Sequence, residues 1–337
     1  MMKSACKAAV ISTLAAGMGL AAATGAALAN PVNPQGWTAG LQLASPLPEG
    51  VFFIDTGTWF ERSPEGIPGG VTIDAGVNVP LLLWSTPVTF LGGRLEVIGG
   101  APEVALSYGF GAPGGAFTGG ASARAFYNPV GLVGLAWDLG GGFSFSNFVG
   151  AYIPLNTSVG SIGALGPTTG GLGLGATGGL GGDFWTFIEG AAIAYNHDGW
   201  SLSANGFYGH SGNETGGAQN GLQTQPDTLS VDFAATKHFG KIEVGLVGYA
   251  STDISSAVWN TYAVPGQAFA STHYQSQVAL GGLVGYDFGP VIGQLYVTRD
   301  VYERNYTGYD TRVWGRVIIP LWVASKAAPA PAVVSKY

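Results

Sequence analysis

The arrangement closest to a nucleophile and its base in this 337-residue chain is His210-Ser211, within Tyr208-Gly209-His210-Ser211-Gly212-Asn213. A hydroxyl becomes nucleophilic when a base within hydrogen-bond reach takes its proton. The segment reads as a strand, and adjacent strand residues point to opposite faces. His210 and Ser211 therefore cannot act together, and no enzymatic chemistry is expected. His197, His238 and His273 are scattered and show no metal-ligand spacing. The one cysteine is Cys6, so the chain beyond it has no disulfide and no thiolate site. Neither a metal nor a cofactor is expected.

Nine charged residues fall inside otherwise apolar segments: Asp55, Asp74, Arg94, Glu96, Glu189, Asp232, Glu243, Arg312 and Arg316. Ionised side chains cannot face lipid cheaply, so their expected place is an interior. There they could form a structural ion-pair network or a constriction that selects solutes. Glu189 is the sharpest candidate. By strand parity it shares a face with Trp185, Phe187 and Ile193, and an acid among rings could hold a phenolic hydroxyl while the rings take the apolar body. The alternative partner for Glu189 is Arg312 or Arg316. The expected substrate path is thus Glu189, Trp185 and Phe187, with Asp232, Arg312, Arg316, Asp74, Arg94 and Glu96.

The elements that would position these residues are strands. Apolar runs alternate with turns at Val51–Arg62, Val71–Trp84, Thr89–Gly111, Phe126–Leu139, Phe143–Leu155 and Phe184–Asn196. They continue at Trp200–Ser211, Thr228–Phe239, Ile242–Thr252, His273–Phe288, Val291–Glu303 and Thr311–Trp322. Tight turns are expected at Ser85-Thr86-Pro87, Gly140-Gly141-Gly142, His197-Asp198-Gly199, Gly240-Lys241 and Gly289-Pro290, with longer Gly-, Asn- and Pro-rich connections between. Within strands the period is two. Leu229, Val231, Phe233 and Ala235 alternate with Ser230, Asp232, Ala234 and Thr236. In Val71–Trp84 the apolar set is Ile73, Ala75, Val77 and Val79, against Thr72, Asp74, Gly76 and Asn78.

Only 10% of residues are charged while 47% are hydrophobic. A soluble β-sandwich would also alternate, but its surface needs more charge than this. After the first 30 residues no apolar run is long enough for a spanning helix. An apolar chain without such helices must satisfy its backbone between strands, in a closed barrel. The fold class is therefore all-β: a transmembrane antiparallel outer-membrane β-barrel of about twelve strands, with short periplasmic turns and longer extracellular loops. Aromatic residues at strand ends, such as Trp59, Trp84, Trp200, Phe239 and Trp322, suit interfacial girdles. Twelve strands imply a narrow pore, or one occluded by loops or by the N-terminal segment.

Residues 1–29 read as a signal peptide, with Lys3 and Lys7, an apolar stretch from Ala8, and a small-x-small site at Ala27-Leu28-Ala29. Residues 30–48 are expected to be an irregular periplasmic segment, 49–322 the barrel, and 323–337 a disordered tail. Loss of Lys3 and Lys7 leaves 11 basic against 20 acidic residues, a net charge of −9, which argues against nucleic acid. The partners expected are outer-membrane lipid and lipopolysaccharide, the barrel-assembly machinery during insertion, and a small-molecule substrate. The location expected is the outer membrane of a Gram-negative bacterium.

Several short segments carry a family resemblance: Leu47-Pro48-Glu49-Gly50-Val51-Phe52-Phe53, Gly150-Ala151-Tyr152-Ile153-Pro154-Leu155, Phe184-Trp185-Thr186-Phe187-Ile188-Glu189-Gly190 and Ala235-Thr236-Lys237-His238-Phe239-Gly240-Lys241. Val244-Gly245-Leu246-Val247-Gly248-Tyr249, Gly285-Tyr286-Asp287-Phe288-Gly289 and Ile319-Pro320-Leu321 complete the set. In order and spacing the chain resembles the outer-membrane transporter family linked to the meta-pathway of phenol degradation. The resemblance covers about residues 47 to 322. It implies a barrel that passes small apolar or aromatic, phenol-like compounds. The competing expectation is a structural or surface-interaction barrel with a closed lumen.

Overall fold

The computed structural model describes residues 34–62, 71–111, 118–154, 160–165, 185–212, 222–224, 226–260, 268–271, 274–305 and 308–324. The expected signal peptide, and the tail from 325 on, lie outside the described residues. The regular elements are strands: β1 Gly50–Arg62, β2 Val71–Phe90, β3 Gly93–Gly100, β4 Glu103–Gly111, β5 Thr118–Phe126, β6 Val130–Gly140, β7 Phe143–Tyr152, β8 Gly160–Leu165 and β9 Thr186–His197. Then follow β10 Trp200–Ser211, β11 Leu222–Thr224, β12 Thr228–Phe239, β13 Ile242–Asp253, β14 Ala257–Asn260, β15 Ala268–Ser271, β16 Ser276–Asp287, β17 Ile292–Arg304 and β18 Thr311–Val323. Among the described residues no helix is long and apolar enough to cross a membrane; the spanning elements are strands.

Twelve strands close a ring in the order β1-β2-β3-β6-β7-β9-β10-β12-β13-β16-β17-β18, and β18 pairs back onto β1. Every pairing is antiparallel, as expected when neighbours are joined by hairpins. The tight turns at Gly140–Gly142, Asp198-Gly199, Gly240 and Gly289 carry the positive φ angles that glycine supplies.

The third expected strand differs. The turn lies at Leu91-Gly92, and Ser85-Thr86-Pro87 is an irregularity inside β2. Thr86 Oγ1 stabilises it by donating to Leu95 O at 2.8 Å and accepting from Val88 N at 3.1 Å. Proline has no N–H, so Pro87 is tolerated where the ladder is interrupted. The expected strand Thr89–Gly111 is β3 and β4, separated at Ala101-Pro102. Strand β2 pairs with β3 through its lower half and β4 through its upper half, and β4 continues to β5 and β8. The neighbouring strands break at the same level, at Pro129 and Pro154, while Tyr127 N to Pro102 O (2.7 Å) and Ile153 N to Pro129 O (2.8 Å) bridge the breaks. The 20 residues of β2 extend about 65 Å along the strand at about 3.3 Å each, so its upper half passes beyond an apolar band about 25 Å tall. The outward face of this extension is polar, with Ser107 donating to Asp74 at 3.2 Å and Arg124 gripping Glu103 at 2.5 and 2.9 Å.

On β18 the two faces separate cleanly: Arg312, Trp314 and Arg316 are buried inside, while Val313, Val317 and Leu321 are exposed outside. Gly281 shows how closely strands pack: a Cβ there would collide with the Val297 carbonyl. Gly281→Val is expected to prevent β16–β17 closure, read as loss of the heat-resistant folded band on a gel; an unchanged band would reject the packing argument.

The lumen holds the segment expected in the periplasm. Residues 34–48 enter the barrel beside β1 and fold through successive turns, with Gly36 and Gly40 at φ +90° and +82°. Trp37, Ala39 and Leu41 join the core formed by Phe52, Ile54, Leu81, Leu132 and Phe148. The physical reason is width: a twelve-stranded ring is wider than its own side chains fill.

Candidate functional site

Residues 34–48 form a plug in the lumen, held along one side by a polar wall. On the polar wall, Asp232 accepts from Gly36 N at 2.8 Å, Thr38 N at 2.9 Å and Thr38 Oγ1 at 2.7 Å. Arg316 donates to Trp37 O at 2.6 Å and Ala39 O at 2.7 Å, and also to Gln294, Tyr296 and Thr56. Asn205 reaches Thr38 O and Leu41 O, both at 3.1 Å, and the Tyr296 hydroxyl donates to Gly36 O at 2.9 Å. Higher up, Arg312 pairs with Asp310 at 3.1 Å and donates to the Gln35 side chain at 3.2 Å. A plug built of irregular backbone needs such partners, because a buried peptide group left unpaired is costly.

An apolar cavity of about 330 Å³ opens between plug and barrel and reaches Gln294 of the polar wall. Phe52 and Ile54 of β1, Leu81 and Leu83 of β2, Ile98 of β3, Leu132 of β6, Phe148 of β7 and Phe207 of β10 line it, with Trp37, Leu41, Leu43 and Leu47 of the plug. The Phe148 and Phe207 rings meet at 5.4 Å and Trp37 and Phe207 at 6.2 Å. Two carboxyl groups reach the cavity. Glu243 is engaged by Thr236 Oγ1 and Gln294 Nε2, both at 2.8 Å. Glu96, 8% exposed, accepts from Leu47 N at 3.1 Å. An apolar wall with few placed polar groups is the chemistry of a small-molecule site.

The expected site residues divide. Asp232, Arg312, Arg316 and Glu96 are buried in the lumen, as is Glu243. Arg94 stands at the lower rim and donates to Thr86 O at 2.8 Å. Glu189, Trp185 and Phe187 do share one face, but it is the outer one: Trp185 is 47% and Phe187 51% exposed. Their strand turns Thr186, Ile188, Ala192 and Ala194 inward, and the two small alanines pack against Ala44 of the plug. Asp74 also points outward, above the apolar band, and Asp55 lies on the outward parity of β1, between buried Ile54 and Thr56. In β2 it is Ala75 and Val79 that face inward. For Asp74 the reason is the extension of β2, whose outward face is polar and carries the bond from Ser107. Glu189→Ala is therefore expected to leave solute uptake unchanged within error in intact cells; a severalfold fall would return Glu189 to the path. The plug residues Trp37, Thr38, Leu41 and Leu47 were not legible as site residues, since their segment has no periodicity.

A closed antiparallel ring of twelve strands with an apolar outer belt and aromatic strand ends is an outer-membrane β-barrel. The family described as "Putative MetA-pathway of phenol degradation" matches residues 60–317, and the chain belongs to that family. An outer-membrane channel from Pseudomonas putida is similar in structure with a TM-score of 0.59 and 12% identity, covering 86% of this chain and 99% of that one. The transport unit of the autotransporter AIDA-I from Escherichia coli gives a TM-score of 0.47 at 10% identity, covering 88% of this chain and 96% of that one. At such identities the likeness concerns the fold. No curated protein matches the chain in sequence.

Proposed function

We propose that this barrel passes small apolar or aromatic, phenol-like compounds across the outer membrane by way of the lumenal cavity. The observation that carries the reading is the apolar cavity between plug and barrel with Glu96 on its wall. Rings of the ligand pack against Phe52, Phe148 and Phe207, and Glu96 accepts a hydrogen bond from a phenolic hydroxyl. The role expected of Glu189 thus passes to Glu96, which has the apolar surroundings that role requires. The family's link to phenol degradation and the channel nature of the Pseudomonas putida protein agree with this reading.

The test is uptake of labelled phenol at low concentration by intact cells with and without the protein. Intact cells matter because the polar lipopolysaccharide layer, not a simple bilayer, slows apolar solutes. Deletion is expected to slow uptake, and Glu96→Leu to slow phenol by about tenfold, the equivalent of one charge-assisted hydrogen bond. Unchanged uptake of phenol and of an aromatic panel in the deletion strain would sink the proposal. The plug's dense bonding to Asp232, Arg312 and Arg316 favours the second reading, a structural barrel with a closed lumen, and that result would support it.

A further inference from the structure

We infer that the ligands of this cavity carry a hydrogen-bond donor, and that such a ligand loosens the periplasmic end of the plug by taking Glu96 from Leu47. The inference rests on the cavity reading above and adds a ligand class and a release step to it. Leu47 belongs both to the plug and to the cavity wall. Its N–H donates to Glu96 Oε1 at 3.1 Å, and its carbonyl accepts from Ser85 Oγ at 2.9 Å. The carboxyl that a ligand in the cavity would meet is therefore the same one that ties down the plug.

The competition has a direction. A hydroxyl donating to a carboxylate makes a shorter, stronger bond than a backbone amide does. A phenol in the cavity displaces the Leu47 N–H, whereas benzene offers nothing in exchange and leaves the tie in place. The plug is also held unequally along its length. Residues 36–41 bond to Asp232, Arg316, Asn205 and Tyr296. Around residue 45 a single side-chain pair, Asn196 Nδ2 to Ser45 Oγ at 2.9 Å, joins plug to barrel among the described residues. Chain entry into β1 is fixed by Ala324 N donating to Glu49 O at 2.9 Å. Loss of the Glu96 tie thus leaves the stretch between Ser45 and Glu49 held by the Ser85 bond to the Leu47 carbonyl and by the apolar packing of Leu47, while the upper plug stays seated.

The only cysteine is Cys6, so Pro46→Cys in a Cys6→Ser background gives one reporter thiol, next to Leu47. Every variant carries this reporter, so the loss of the proline ring is common to all the rates compared. The experiment measures the rate of maleimide labelling in the purified barrel, with phenol or benzene at equal occupancy set by equilibrium dialysis of the labelled compounds. Phenol is expected to raise the rate by about fivefold, the scale of one net hydrogen bond, and benzene to leave it unchanged. Glu96→Leu should label fast without ligand and show no further response to phenol. Glu96→Gln, which keeps an acceptor for Leu47, should restore slow labelling and so separate loss of the tie from misfolding. Equal acceleration by benzene, or bound phenol with no acceleration, overturns the inference while leaving the cavity reading intact. Failure of both compounds to bind overturns both.

Discussion

Arg316→Ala is expected to turn the plugged barrel into an ion-conducting pore. Arg316 serves two plug carbonyls, Trp37 O and Ala39 O, and three wall groups, on Thr56, Gln294 and Tyr296. Its removal strands those carbonyls and leaves Asp232 buried without the neighbouring positive charge. Breaking a buried charged network costs about 3–5 kcal/mol, which shifts the seated-to-unseated ratio of the plug by about a hundredfold or more. Conductance of the purified protein in planar bilayers reads this directly. Arg316→Lys should recover part of the seal, since one ammonium cannot reproduce the planar fork that reaches several acceptors at once. A conductance equal to the parent's in Arg316→Ala would mean that the ties from Asp232, Asn205 and Tyr296, with the apolar contacts of Trp37 and Leu41, hold the plug without Arg316.

The second large effect is expected from Leu132→Trp. Leu132 is buried on β6 and faces the cavity between Ile98 and Phe148. An indole there occupies the space a single aromatic ligand would use. Overpacking of this kind typically costs about 1–3 kcal/mol, which a closed barrel tolerates, so the folded band on a gel should persist. Phenol uptake should fall to the level of cells lacking the protein. Val133→Trp is the matched control: Val133 is the next residue, on the exposed outer face, where an added ring meets lipid. Normal uptake in Leu132→Trp would move the route elsewhere in the lumen, and reduced uptake in Val133→Trp would point to general damage.

The ring's strands were legible because each one advertises itself locally. The run Thr228–Phe239 alternates, ends at a Gly240-Lys241 turn and restarts at Ile242, which is enough to define β12 and β13. Asp232, Arg312 and Arg316 were legible as interior residues, since charge amid a strictly apolar opposite face has one affordable direction. Glu189 was not. Its strand has aromatic residues on one face and alanines on the other, and composition favoured putting the acid and its rings inside. The hairpin β4–β5 was hidden by Ala101-Pro102, where two strands run on in one line and only their partners differ.

From the amino-acid sequence alone follow the all-β class, the twelve-stranded ring, most of its tight turns and the pairs of residues that share a face, because these depend on periods and turn chemistry within a few residues. For strands such as β2 and β9, tertiary structure alone decides which face meets the lumen, since alternation is unchanged when the two faces are exchanged. It alone also decides that residues 34–48 lie inside. Their seat is made largely by backbone amides and carbonyls, which every residue carries, bonding to side chains such as Asp232 and Arg316 some 194 to 279 positions away.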